Sequence, residues 1–188
     1  DVVTASASVD TEAESTSGNP VAGSYTQTAG GNLTGTDAGN YSFAGFTTSE
    51  ENYTINKLDL ADPSIASSSS TYGNALVPGA VSFTNVVGSD SVEASATVNT
   101  SDTSTSGKPV AGTYTQTAGI SLTGADAANY SFAGFTTSEE NYTINQRALT
   151  GAAIAGSSST YGNALTPGAV SFTNVVGSDS VEASATVN

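Results

Sequence analysis

Apolar and polar residues alternate along several stretches of this chain, and nowhere do apolar residues keep helical spacing over a long run. Within residues 91–99 the apolar positions are Val92, Ala94, Ala96 and Val98. Successive strand residues point to opposite faces, so this spacing predicts an antiparallel strand with one face buried and one wet. Val81 and Phe83 show the same alternation upstream. Gly88-Ser89-Asp90 between the two runs predicts a turn, and with it a hairpin or meander. Residues 113–117, 129–132 and 141–145 are rich in β-branched and aromatic side chains and read as further strands. Tyr72-Gly73-Asn74, Val77-Pro78-Gly79, Ser106-Gly107-Lys108-Pro109 and Ala118-Gly119 read as turns. The one helical candidate is a turn or so across residues 123–128. Many short strands parted by frequent turns predict an all-β sandwich or barrel-like module.

The whole pattern recurs after 89 residues. Overlaying residues 1–99 on 90–188 needs no gap and leaves 22 differences. Identity extends to surface-type residues such as Thr47-Thr48-Ser49-Glu50-Glu51, which packing leaves free to drift, so the array reads as recently duplicated. Divergence concentrates where residues 57–63 overlay 146–152, with only Leu60 and Leu149 alike. A junction is expected there. On that phase residues 1–57 are the back part of one repeat, 58–146 a complete repeat, and 147–188 the front part of the next. The alternative phase is two units of 89 plus ten residues. Without a starting Met or a signal-like run, the chain reads as a slice of something longer. Each half-repeat alone would expose half a core, so complementation between neighbouring chains is expected. The serines at 67–70 are too few for a free linker.

Charge and composition narrow the function. Seventeen acidic residues face Lys57, Lys108 and Arg147, for a net charge of −14. Phosphate backbones and anionic lipid would repel such a chain, so no nucleic-acid partner is expected. No apolar run reaches the length of about 18 residues that spans a membrane, so no membrane insertion is expected. Cysteine is absent, which fits an extracellular setting that avoids stray thiols. With no His and no Cys the usual proton shuttle and nucleophile–base pairs are missing, and no enzyme is expected. Glu139-Glu140, repeated as Glu50-Glu51, is the obvious carboxylate pair for glycoside chemistry. Neighbours on a strand face opposite ways, so the two would not flank one bond. No glycine pattern cradles a phosphate. No cofactor is required. Calcium is the most plausible ion, with Asp90, Glu93, Asp126, Glu139 and Glu140 as weak candidate ligands, though no calcium-loop spacing links them. Tyr72, Phe83, Tyr114, Tyr130, Phe132, Phe135 and Tyr142 are what the core and corners of a small β-module need.

Four motifs occur in one order: Thr71-Tyr72-Gly73-Asn74, Val110-Ala111-Gly112-Thr113-Tyr114, residues 122–130 from Leu122-Thr123-Gly124 to Asn129-Tyr130, and Asn141-Tyr142-Thr143-Ile144. This order resembles the YGX-type MBG repeat of bacteria, related to the YDG repeats of filamentous-haemagglutinin-like proteins. The resemblance implies tandem Ig-like β-sandwich modules of about 89 residues in an elongated array. It further implies a stalk of a large adhesin or biofilm-matrix protein, extracellular or on the bacterial cell surface, without catalytic residues. The expected partners are neighbouring repeats, with self-association through edge strands or complementing half-repeats. The alternatives are a module that binds glycan or protein, and a spacer stiffened by calcium. These repeats often close with a further strand directly after the Asn-Tyr-Thr-Ile run. Here the next candidates, Leu58-Asp59-Leu60 and Ala148-Leu149-Thr150, blur which repeat owns it.

Overall fold

Strands form where residues alternate, and the chain is all-β apart from two single 3-10 turns at Ala38–Asn40 and Ala127–Asn129. The structure, a computed structural model, describes residues 1–188. The first nine strands are β1 (Thr4–Val9), β2 (Gly23–Tyr25), β3 (Gln27–Thr34), β4 (Phe46–Thr47), β5 (Tyr53–Ile55), β6 (Leu58–Asp59), β7 (Ser64–Ile65), β8 (Ser68–Thr71) and β9 (Val81–Ser82). There follow β10 (Glu93–Val98), β11 (Gly112–Tyr114), β12 (Gln116–Thr123), β13 (Tyr130–Ser131), β14 (Phe135–Thr136), β15 (Tyr142–Asn145), β16 (Ala153–Ile154) and β17 (Val170–Ser171). No helix is long and apolar enough to cross a membrane.

The chain divides into two compact units, each assembled from three separate segments. The first comprises Asp1–Ile65, Ala80–Ser95 and Ala118–Phe135. In it β1, β3 and β4 form an antiparallel sheet in that order, with a register shift in β1 between Ala5 and Ala7. β2 pairs with β5 and β7 with β9, both antiparallel. β6 lies parallel to β13, with Leu58 opposite Tyr130. Leu60, Ile65, Ala118 and Tyr130 are the buried apolar residues. The Phe83 and Phe132 rings meet edge to face at 5.0 Å between centroids, the arrangement that aromatic quadrupoles favour.

The second unit comprises Ala66–Gly79, Ala96–Thr117 and Thr136–Asn188. β15 is the middle strand of the order β11-β15-β8, antiparallel to β11 and parallel to β8. Period-two geometry explains its burial, since Tyr142 and Ile144 are buried while Thr143 and Asn145 are not. The Tyr142 hydroxyl accepts from Val77 N–H at 3.1 Å. Gln116 is fully buried and fully bonded. Its Oε1 accepts from Gly79 N–H at 2.7 Å, and its Nε2 donates to Ala66 O at 3.1 Å and Asn141 Oδ1 at 2.9 Å. A polar side chain is tolerated in the interior because every donor and acceptor finds a partner. Gly79 is dictated by the same approach, because a Cβ there would overlap the Ala66 carbonyl. β16 pairs with β17 in antiparallel register.

Three local expectations are corrected. β9 and β10 are not a hairpin: β9 pairs with β7, and β10 neighbours β12. The segment between them is held open by bonds to distant residues, described below. Ala118-Gly119 is not a turn but the middle of β12, where extended backbone suits Gly119 as well as any residue. Glu139 and Glu140 lie outside any strand, after β14, so alternation does not govern them. The serine run, too short for a free linker, contributes residues 68–70 to strand β8, where β15 supplies a ladder for their amides. The predicted helical turn is present only as the short 3-10 turn Ala127–Asn129.

Candidate functional site

The densest long-range hydrogen bonding gathers where residues 15–22 meet the loops after β9 and β12. Residues 15–19 close on themselves through Ser15 N–H to Asn19 O at 2.8 Å and Gly18 N–H to Ser15 O at 2.9 Å, with Gly18 at φ +74°. Such a turn points its next amides outward. Thr16 N–H donates to Asp126 Oδ1 at 2.9 Å, and Ser17 N–H donates to Asp90 Oδ1 at 3.0 Å. The Ser17 hydroxyl donates to Val87 O and accepts from Ser89 N–H, both at 2.8 Å. Ala22 N–H completes the seam with a 2.9 Å bond to Asn129 Oδ1.

The carboxylates are braced from behind. Asp126 Oδ2 accepts from Ser91 N–H at 2.8 Å, and the residue is only 4% exposed. Asp90 Oδ2 accepts from the Tyr130 hydroxyl at 2.7 Å, and that hydroxyl accepts from Val87 N–H at 3.0 Å. Gly88 sits at φ +51°, and a Cβ there would lie 2.7 Å from Ser17 Oγ, so both backbone and space demand glycine. The amides of Ser91 and then Thr16 hold Asp126 below the usual carboxylate range. Burial pushes Asp90 upward, but hydrogen bonds from Ser17, Tyr130 and Ser15 outweigh it and leave its pKa lowered. Burial raises Tyr130, and its hydrogen bond to Asp90 adds to this against the opposing Val87 amide.

The second unit carries the same fastening on the residues 89 positions later. Ser106 N–H donates to Asp179 Oδ1 at 3.0 Å, Ser106 Oγ donates to Val176 O at 2.6 Å, and Ser178 N–H donates to Ser106 Oγ at 2.8 Å. Gly177 stands at φ +50°, its missing Cβ 2.8 Å from Ser106 Oγ. Here Tyr72 takes the bracing role. Its hydroxyl is bonded to Asp179 and, at 2.5 Å, to Ser104 Oγ. The bond with Asp179 raises Tyr72, and the same bond is the foremost cause lowering Asp179. Arg147 secures the turn that carries Tyr72, with Nε donating to Tyr72 O at 2.9 Å and Nη2 to Asn74 Oδ1 at 2.8 Å. Beside this fastening lies an open cavity of 340 Å³ lined by Tyr72, Val110, Ala111, Arg147, Leu149 and Val176 among others.

Of the sequence-predicted site residues, Asp90 and Asp126 both belong to this seam. Glu93 is exposed at the start of β10, and Glu139 and Glu140 are exposed beyond β14, with Glu140 bonded to the Thr113 hydroxyl. No group of three or more His, Cys, Asp or Glu is placed to share a metal ion. The arrangement of Asp90 and Asp126 suits backbone amides: a carboxylate accepting N–H groups makes charge-assisted bonds, stronger than those of a neutral acceptor. Its chemistry is fastening. Sequence reasoning did not find Ser17, Ser106, Val87 or Val176, although Ser-Thr-Ser-Gly and Val-Gly-Ser-Asp stand unchanged in both copies. Each string looks like an ordinary turn until its partner turn is known. No family model, curated protein or solved structure matches the chain.

Proposed function

We propose that this chain is a segment of a structural spacer, a tandem β-repeat stalk belonging to a secreted or cell-surface bacterial adhesin or extracellular fibre. The observation that carries it is the fastening built twice, by Ser17 with Asp90, Val87 and Ser89, and by Ser106 with Asp179, Val176 and Ser178. A joint made of the same bonds at each repeat boundary would hold successive repeats in one recurring geometry, as a stalk of defined reach requires. The ordered resemblance to YGX-type MBG repeats supports the same class, with sandwich-like modules phased at residues 58–146. The acidic surface would keep near-identical neighbours from sticking during folding. The joint is held by the chain's own donors: Asp126 accepts two backbone amides, and Asp90 and Asp179 each accept one backbone amide and one tyrosine hydroxyl.

Small-angle scattering on chains of three, five and seven repeats tests it. The maximum dimension should rise in proportion to repeat number. Growth near the square root of that number, as for freely jointed beads, would overturn the spacer reading.

A further inference from the structure

Only one residue other than glycine has left-handed backbone, and it is followed by proline. Asp62 stands at φ +47° immediately before Pro63. An L side chain is strained there, and a following proline presses the residue toward extended backbone instead. The turn cannot relax, because both of its sides are tied down. Ala61 N–H donates to Asn85 Oδ1 at 2.8 Å, and Ala61 O accepts from Thr84 N–H at 3.3 Å. On the other side Ser64 pairs with Ser82 and Ile65 with Val81, and the two serine hydroxyls lie 2.8 Å apart.

The equivalent turn 89 residues later shows what this backbone asks for. There Thr150 N–H donates to Asn174 Oδ1 at 2.8 Å, and Thr150 O accepts from Thr173 N–H at 3.1 Å, as at Ala61. Gly151 holds the left-handed position at φ +62°, and Ala152 follows it. Glycine adopts that conformation at no steric cost. Asp62 and Pro63 therefore stand where the other copy has an unstrained Gly-Ala, inside the stretch where the copies diverge. Backbone strain that the surroundings hold in place gathers at functional sites, and this pair has a chemistry of its own.

We propose that Asp62–Pro63 is a self-cleaving peptide bond, broken by the Asp62 carboxylate in the folded chain. Carboxylates serve as nucleophiles in covalent catalysis. The Thr84 hydroxyl donates to Oδ2 at 3.1 Å, which assigns the attack to Oδ1. Oδ1 bonds to the carbonyl carbon of Asp62 itself and closes a cyclic anhydride. The bond from that carbon to Pro63 N breaks, and its electron pair stays on the nitrogen. Pro63 N takes a proton from solvent and leaves as a secondary ammonium group. Water then opens the anhydride, leaving Asp62 with an α- and a β-carboxylate. One water is consumed and no other reactant. The nitrogen of an X–Pro bond is a tertiary amide, more readily protonated than an ordinary peptide nitrogen, and it carries no N–H for a sheet to hold. As the carbonyl carbon becomes tetrahedral the amide plane is lost, and with it the restraint that Pro63 places on Asp62. The fold raises the starting state and leaves less barrier to climb. Gly151 has no carboxylate, so the second turn is inert.

This inference rests on one turn and needs neither the spacer reading nor a repeat phase. Denaturing mass spectrometry reads it on the 188-residue chain, held at about pH 5, above the ordinary carboxylate range. Two fragments should accumulate, residues 1–62 and 63–188, together one water heavier than the whole chain. Cleavage should run roughly tenfold or more faster than in the same buffer with urea, where the strain of the turn is gone. Asp62→Gly, which copies Gly151, should abolish the break and raise the melting temperature, with circular dichroism unchanged. Pro63→Ala, which copies Ala152, should slow the break by a similar factor. A folded chain that stays whole through prolonged incubation overturns the proposal. Equal rates with and without urea, or a break that survives Asp62→Gly, overturn it too.

Discussion

Asp126 is the residue on which the first fastening turns, because both carboxylate oxygens accept backbone amides, Thr16 on one side and Ser91 on the other. Asp126→Asn is nearly the same size, yet it places an NH2 against one of those amides and leaves a donor facing a donor. The expected outcome is a lower melting temperature by circular dichroism, and Asp126→Ala should be no better. The lowered pKa values of Asp126, Asp90 and Asp179 fix the sign of the pH dependence. Their contribution is complete above about pH 4, the range of unfolded carboxylates, and is lost as pH falls through the lower folded values. Tyr72 and Tyr130 are raised, so their contribution is complete below about pH 10 and is lost as pH climbs through the folded values. Thermal melts from acid to alkali should therefore show a plateau with two falling shoulders, and Asp126→Asn should flatten the acid one. The sequence offered Asp90 and Asp126 as possible cation ligands. It could not show that their lone pairs are taken by amides 73 and 110 residues away.

Elements were legible where they depend on local geometry alone. β10, β11 and β15 sit where alternation or β-branched and aromatic content put them, because the two-residue period of a strand is written in consecutive side chains. β8 was not legible, since four hydroxyl residues carry no apolar face and become a strand only through the ladder that β15 provides. The supposed turn at Ala118-Gly119 shows the converse, as glycine permits a turn without requiring one. Glycine substitutions distinguish the cases. Gly124 sits at φ +110° and a Cβ there would overlap Ser91 O, while Gly79 is pressed against Ala66 O. Gly124→Ala and Gly79→Ala should each cost on the order of 1–3 kcal/mol in denaturant unfolding. Gly119 has open space around the same position, so Gly119→Ala should be neutral or stabilise by about 0.5–1 kcal/mol.

Across the whole molecule, identical residues live different lives. Tyr142 is fully buried and its hydroxyl is bonded to Val77 N–H, while Tyr53, in the same local sequence, is 42% exposed. Tyr142→Ala should cost about 3–5 kcal/mol, as truncation of a buried aromatic does. Tyr53→Ala should cost below about 1 kcal/mol, as expected at a surface. Equal costs from paired unfolding curves would mean the two copies are equally packed. The sequence by itself determined the β character, the 89-residue period, the acidic surface and the lack of His and Cys. These are properties of residues and their near neighbours. Only the tertiary structure decided which copy of each Tyr, Ile and Gln is buried, which turn grips which, and which carboxylates are spent on amides. Burial and long-range hydrogen bonds depend on partners many tens of residues away, and two copies of one sequence meet different partners.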